Sequence, residues 1–471
     1  MRPDSTPAER SLALAFAALC CLGGCEISLG ARPDAGGGRD AARPDSAVLD
    51  AGVGDTPLLD GGPLDAPTMS DAPDAGPPPP TGRVRYESGL LHSPLTEDLA
   101  EGLRIIAARG GRVENVLSRV GDSITRSTSF LNCFAGSRID LAGRAELMAT
   151  IAHFGAGRVG GENPFSRVSL AATVGWSASA ALAAPAPIDA EIAAAHPGYA
   201  SLMFGTNDVG FRSPQSYAAD MLTLADRLIA AGAIPVLSSI PPRDDSASAD
   251  ARVPLFNAIV RGIAEGRGVP FVDLHAALLP LPNHGLLTSD RVHPNVFASG
   301  GCVFTAEGLG YGYNQRNWLV ITALDRARRA VAGEPAPDAS ATRMEGAGTV
   351  AAPFVARSFP FTDLRSTDTD GTSRWASYPA CSAANEGGPE VLYRVDVPRV
   401  GRLRAFVFDR GTVDVDVHVL SAADPTACLD RDDMESAIDV VPGTYWVAVD
   451  SYVDGSGAAR GGEYLLVVLL E

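Results

Sequence analysis

Val113-Glu114-Asn115-Val116-Leu117-Ser118-Arg119-Val120, followed at once by Gly121-Asp122-Ser123-Ile124-Thr125, is the stretch from which the rest of this chain is read. The first eight residues read as a strand. The glycine after them permits a tight backbone path, and a serine on such a turn holds its hydroxyl out of the sheet, where a nucleophile would stand. The pattern is not the G-x-S-x-G elbow, and Gly-Asp-Ser taken alone is ordinary turn chemistry. Its surroundings give it weight. Residues 168–174, 199–204, 234–240 and 269–274 read as further apolar strands. Residues 93–106, 142–154, 188–195, 217–231, 256–265 and 317–332 carry helical patterns between them. Apolar strands alternating with amphipathic helices predict an α/β fold, with a parallel sheet covered on both faces. Gly121, Gly175 and Gly205 all fall at predicted carboxyl ends of strands, where such sheets bind ligands.

Outward from this core the composition changes. The chain has 471 residues, too many for one core, and a formal net charge of -18 that argues against a nucleic-acid partner. Arg2 and Arg10 flank the start of an N-terminal segment with a short apolar run at residues 12–19, too short to span a bilayer stably and of the length expected for a secretory signal. It ends in Leu22-Gly23-Gly24-Cys25, which resembles a bacterial lipobox; the alternative is an ordinary signal cut at small residues. The expectation is a signal peptide over 1–24, a lipidated Cys25, and export to the bacterial cell envelope (outer membrane or cell surface). Residues 25–84 are rich in Asp, Ala, Gly and Pro and read as a solvated tether. The α/β region then spans 85–333 and a Pro/Ala/Gly linker 334–352. Residues 353–471 carry short alternating runs separated by turns such as Pro442-Gly443 and Asp454-Gly455, which predicts an antiparallel β-sandwich.

Of seven cysteines, Cys20 and Cys21 would leave with the signal and Cys25 would be acylated. Cys133, Cys302, Cys381 and Cys428 remain, an even number in an exported protein, and one bridge per domain (Cys133–Cys302 and Cys381–Cys428) is the obvious pairing. None stands in a C-x-x-C pair, so zinc is not expected. Asp368-Thr369-Asp370-Gly371 and Arg431-Asp432-Asp433 lack a full calcium loop and read as solvated turns.

Two further signatures follow predicted strands. Gly205-Thr206-Asn207-Asp208 offers a side-chain amide to developing negative charge, and Asp290-Arg291-Val292-His293-Pro294 spaces a carboxylate three residues before an imidazole. Either alone is ordinary loop chemistry. His92, His153, His196, His275, His284 and His418 lack an Asp at that spacing and read as structural or solvated. Together with Gly121-Asp122-Ser123, and in this order, the signatures resemble those of the SGNH (GDSL-type) hydrolases over roughly residues 86–332. That resemblance implies a three-layer α/β/α sandwich of flavodoxin-like type. It implies Ser123 as nucleophile, His293 as general base and then acid, and Asp290 as the group orienting His293. The implied oxyanion hole is the Ser123 amide, a glycine amide and the Asn207 side chain. Gly175 is the choice for the glycine over Gly155, Gly157, Gly160 and Gly161, because it ends a predicted strand. The family often has an asparagine or arginine shortly before this glycine, where this chain has Ala172-Thr173-Val174. Residues 353–471 resemble bacterial pre-peptidase C-terminal (PPC-like) sandwiches, which implies surface or glycan contact. The expected activity is hydrolysis of an acyl or acetyl ester without cofactor or metal; the substrate is a small-molecule or polysaccharide ester. The alternatives are a non-catalytic glycan-binding surface protein and a lysophospholipase-like lipolytic enzyme.

Overall fold

The computed structural model describes residues 82–381 and 385–471. The expected signal peptide, Cys25 and nearly all of the tether lie outside the described residues. No described helix is long and apolar enough to cross a membrane.

Four parallel strands form the central sheet, β1 (Val113–Gly121), β2 (Pro197–Met203), β3 (Ile234–Ser238) and β4 (Phe271–Val272), in the order β1-β2-β3-β4. Every residue of β2, β3 and β4 is buried, as a sheet covered on both faces requires. Helices Glu97–Ala107, Leu147–Ala156 and Gly312–Val331 pack together on one face; Pro187–Ala195, Pro214–Ala230 and Val253–Arg267 do so on the other. This is the expected three-layer arrangement.

One expected strand is missing. Residues 168–174 pair with the sheet only through a single parallel bridge, Ala172 to Gly121, supported by Gly121 N–H to the Ala171 carbonyl (3.0 Å) and Thr173 N–H to the Gly121 carbonyl (3.2 Å). The run lies outside β1 at the sheet edge, and Val168, Leu170 and Val174 are exposed, so no burial rewards continued pairing. The chain therefore leaves β1 on one side and returns as β2 on the other. That reversal opens a crevice at the carboxyl end of β1, where Ser123 stands.

The C-terminal region contains β5 (Phe354–Ala356), β6 (Phe361–Ser366), β7 (Glu390–Val397), β8 (Gly401–Asp409), β9 (Val415–Leu420), β10 (Cys428–Asp432), β11 (Glu435–Val440), β12 (Gly443–Ser451) and β13 (Glu463–Leu470). They form two sheets, β10-β9-β12-β7-β5 and β11-β8-β13-β6, antiparallel throughout except for the β5–β7 pair. Between the sheets lie Tyr393, Val395, Val415, Val417, Val419, Val447 and Val449 against Leu403, Ala405, Val407, Leu466 and Val468. The alternate residues of the second sheet, Leu364, Phe406, Phe408, Leu465, Val467 and Leu469, belong to the core of the α/β region. Each such side chain contributes about 1.5–3 kcal/mol by its burial. Helix Val253–Arg267 is thus held between the parallel sheet and the sandwich. Gly262 and Gly266 allow the close approach: a Cβ there would lie 2.6 Å from Leu465 Cδ1 and 2.4 Å from Leu364 Cβ. At the rim Arg267 and Arg410 each pair with both Asp226 and Glu463. Among the described residues the disulfides are Cys133–Cys302 and Cys381–Cys428, with Cα separations of 5.7 and 5.8 Å.

Candidate active site

Gly121 ends β1 with a negative φ, so its freedom from strain at positive φ is not what the turn uses. It is needed for space: a Cβ would sit 2.3 Å from Thr125 Oγ1 and 2.4 Å from the Met203 carbonyl oxygen. Asp122 caps the short helix Ser123–Arg126 by accepting the Ile124 N–H at 2.9 Å. The Ser123 amide heads this helix, where backbone donors lack intrahelical partners. Ser123 Oγ stands 2.8 Å from His293 Nε2, and His293 Nδ1 stands 2.9 Å from Asp290 Oδ2. The other Asp290 oxygen accepts the Val292 and His293 amides, each at 3.0 Å, with Arg291 at φ 58° closing the turn. The small burial of Asp290 works against its charge, yet these two amides and the His293 ring hold its carboxyl below the usual range. The side chains of His293 and Asp290 are 36% and 41% exposed, so the pair is open to solvent and substrate.

Two loops flank the carboxyl end of β1 beside the serine turn. The Ala172 bridge brings residues 171–176 beside the end of β1, and Gly175 there has φ 80° with open space around its α-carbon. Gly157, by contrast, packs against the Asn115 carbonyl in the first half of β1, far along the strand from the serine. Asn207 Nδ2 donates to the Trp176 carbonyl at 2.8 Å, which ties the Gly205-Thr206-Asn207 turn to the Gly175 loop and leaves a second amide hydrogen. Asp208, fully buried, accepts the Ala178 N–H at 3.0 Å and fixes the same loop from below. Burial, aided by the neighbouring Asp122, pushes the Asp208 carboxyl up to about 6. A hydroxyl, an imidazole and a carboxylate from two remote segments thus form one hydrogen-bonded chain, the set that acyl transfer through a serine requires.

Residues 120–297 match the GDSL-like lipase/acylhydrolase family. The α/β domain is a GDSL-like serine hydrolase of ester bonds. Among solved structures the chain is similar to a GDSL-like lipase from Bacteroides thetaiotaomicron, at 16% identity over 49% of this chain and 98% of that one, TM-score 0.31. It is also similar to a catalytic mutant of an acetylxylan esterase from Geobacillus stearothermophilus, at 19% identity over 46% and 96%, TM-score 0.31. A third, the pre-peptidase C-terminal domain of a collagenase from Bacillus anthracis, is similar at 15% identity over 25% and 95%, TM-score 0.18. No curated protein matches the chain.

The GDSL-like domain supports its site with residues that motif spacing did not reveal. Buried Arg316, on helix Gly312–Val331, donates to the Ile124 carbonyl and to Thr125 Oγ1, both at 2.8 Å, and lies over the Phe130 ring at 3.7 Å. Asn317 accepts the Leu131 N–H (2.8 Å) and donates to the carbonyls of Ser129 (2.9 Å) and Gly301 (3.0 Å). Asn314 donates to the carbonyls of Gly300 and Val303, both at 2.9 Å. One helix therefore pins the serine loop and the loop after His293, and the Cys133–Cys302 bridge joins the same two loops covalently. The only trace of this in the sequence is three polar side chains on the buried face of an otherwise amphipathic helix. His284, read as structural or solvated, pairs with Asp244, Nδ1 to Oδ2 at 2.9 Å, a partner 40 residues away that no local spacing discloses. Beside it Asp244, Asn283, Leu286, Leu287, Thr288 and Arg291 line a cavity of ≈ 250 Å³. Leu287 N–H donates to the His293 carbonyl at 2.8 Å, so this cavity adjoins the candidate base.

Proposed function

We propose that the protein hydrolyses short acyl, chiefly acetyl, esters of a polar alcohol of carbohydrate type, through an acyl-enzyme on Ser123. The observation that carries this reading is the unbroken chain Ser123 Oγ, His293, Asp290, with contacts of 2.8 and 2.9 Å. His293 takes the serine proton as Oγ attacks the ester carbonyl, and Asp290 holds the imidazole in the tautomer that can accept it. The Ser123 and Gly175 amides and Asn207 stabilise the oxyanion, and the protonated His293 then protonates the leaving alcohol. A water deprotonated by His293 releases the acid and restores Ser123. The polar lining of the adjoining cavity, with Asp244, Asn283, Thr288 and Arg291, supports a hydroxyl-rich leaving group. A fluorophosphonate probe should label Ser123. Absence of labelling in protein that is folded would end the reading and leave a non-catalytic, glycan-binding surface protein as the better account.

A lipolytic reading has one observation in its favour: Val174 and Phe211, next to the Gly175 and Asn207 segments, are 69% and 67% exposed. Esters of graded chain length separate the two, since a lipolytic enzyme would prefer long acyl chains and the acetyl esterase would lose activity beyond a few carbons. Lipidation at Cys25 and display on the bacterial envelope, with glycan contact through the sandwich, complete the proposal. The lipobox-like Leu22-Gly23-Gly24-Cys25 supports the anchor. Palmitate labelling that persists in Cys25→Ala would remove it.

A further inference from the structure

The sandwich holds a second polar cluster, unrelated to ester chemistry. Val415, Val417 and Val419 of β9 point into the sandwich core, so Asp416 and His418 share its outer face. Glu386, on the segment leading into β7, closes over them. All three are buried, at 0% exposure for Glu386, 1% for Asp416 and 0% for His418. One ligand atom from each lies within 4.8 Å of those of the other two. Among the described residues neither ring nitrogen of His418 and neither carboxylate oxygen of Glu386 has a hydrogen-bond partner. Native interiors seldom leave four such atoms unpaired. Tyr378 stacks on the His418 ring (centroids 3.6 Å apart, planes at 12°) and donates to Asp450 at 2.7 Å, which fixes the ring where it stands.

The facing cation is Arg431, 2.6 Å from Asp416 Oδ2, 3.6 Å from Glu386 and also paired with exposed Asp433 at 3.0 Å. One guanidinium faces both buried carboxylates, and it offers nothing to either nitrogen of the imidazole.

We propose that Glu386, Asp416 and His418 bind one divalent transition-metal ion of zinc or manganese type as a structural site of the sandwich. One imidazole nitrogen and two carboxylate oxygens suit such ions, whereas calcium and magnesium take oxygen ligands. Metal bonds of about 2.0–2.2 Å require ligand atoms about 3–4 Å apart, a small contraction of the observed cluster. The ion would fasten the segment carrying Tyr378 and Glu386 to the β9–β12 face, the same segment that the Cys381–Cys428 disulfide ties to β10. The site lies on the sheet facing away from the GDSL-like domain, so it has no part in the ester chemistry.

The test uses the full chain, stripped with dipicolinate and then titrated with zinc, manganese or calcium chloride. Expected are about one bound equivalent of zinc or manganese by elemental analysis and a rise in Tm of about 2 °C or more, with no shift from calcium. His418→Gln and Glu386→Gln should lose the bound equivalent while keeping the parent's circular dichroism, which certifies their fold, and its hydrolysis of p-nitrophenyl acetate. If these variants do not fold, the parent decides alone: chelation should lower its Tm and zinc or manganese restore it. The proposal is overturned by no stoichiometric metal and no Tm change in the parent, by equal binding in folded His418→Gln, or by calcium matching zinc and manganese.

Discussion

His293 with Asp290 and His284 with Asp244 are nearly the same object: an imidazole Nδ1 on a carboxylate at 2.9 Å, with the ring 36% exposed in one and 40% in the other. They differ in what the far side of the ring meets. His293 Nε2 faces a serine hydroxyl at 2.8 Å, and the Asp290 oxygens are divided between that ring and two backbone amides. Among the described residues no such hydroxyl bonds to His284, and its carboxylate comes from another loop. An Asp–His pair is therefore common material, and a third group delivered by the fold turns one of two such pairs into acyl-transfer machinery.

That contrast can be broken at several points. Ser123→Ala or His293→Ala should lower kcat/KM for p-nitrophenyl acetate by at least about 10³-fold, while His284→Ala stays within about 3-fold. Equal losses at the two histidines would erase the distinction. Next comes the carboxylate: Asp290→Asn should cost about 10²–10⁴-fold, with Asp244→Asn near the parent in the same assay. For the oxyanion donor, Asn207→Ala should cost about 10²-fold, carried by kcat rather than KM. A change confined to KM would mean that Asn207 serves binding alone.

The smallest expected effect concerns stability and sharpens the comparison from beneath the site. Asp208 titrates at about 6 in the folded protein because burial penalises its charge, against an ordinary carboxyl value of about 3.9 in the unfolded chain. The folded state thus binds the proton more tightly. Its stability is highest below about pH 4, declines as pH rises to about 6, and is level beyond. Asp208→Asn keeps an acceptor for the Ala178 amide and removes that decline. It should gain about 1–3 kcal/mol over the parent at pH 7.5 and nothing at pH 4, read by urea denaturation. An equal gain at both pH values would assign the effect to packing instead of charge.

Much of the site was legible because its chemistry is local. Gly121-Asp122-Ser123, Asn207 and the Asp290/His293 spacing each declare themselves within five residues. Residues 168–174 carry a strand pattern yet pair by a single bridge, because such a pattern looks alike whether or not a neighbour covers the outer face. The run of apolar residues in β13, Leu465 to Leu470, announced a strand but not its setting: its alternate residues fill two different cores. Gly262 and Gly266 gave no sign in a helix pattern that they mark the seat of the sandwich.

By itself the sequence determined the alternation of strands and helices, the second β-rich region, the cysteine pairs and the chemical identity of the site, since these depend on periodicity and on neighbours a few residues apart. Only the tertiary structure decided which of two Asp–His pairs meets a serine, that Arg316, Asn317 and Asn314 brace the loops around it, and that Glu386, Asp416 and His418 converge. The physical reason is one of range. Propensity and patterning act along the chain, whereas a hydrogen bond or a shared ligand requires groups far apart in sequence to be brought within about 3 Å, which only packing of the whole unit accomplishes.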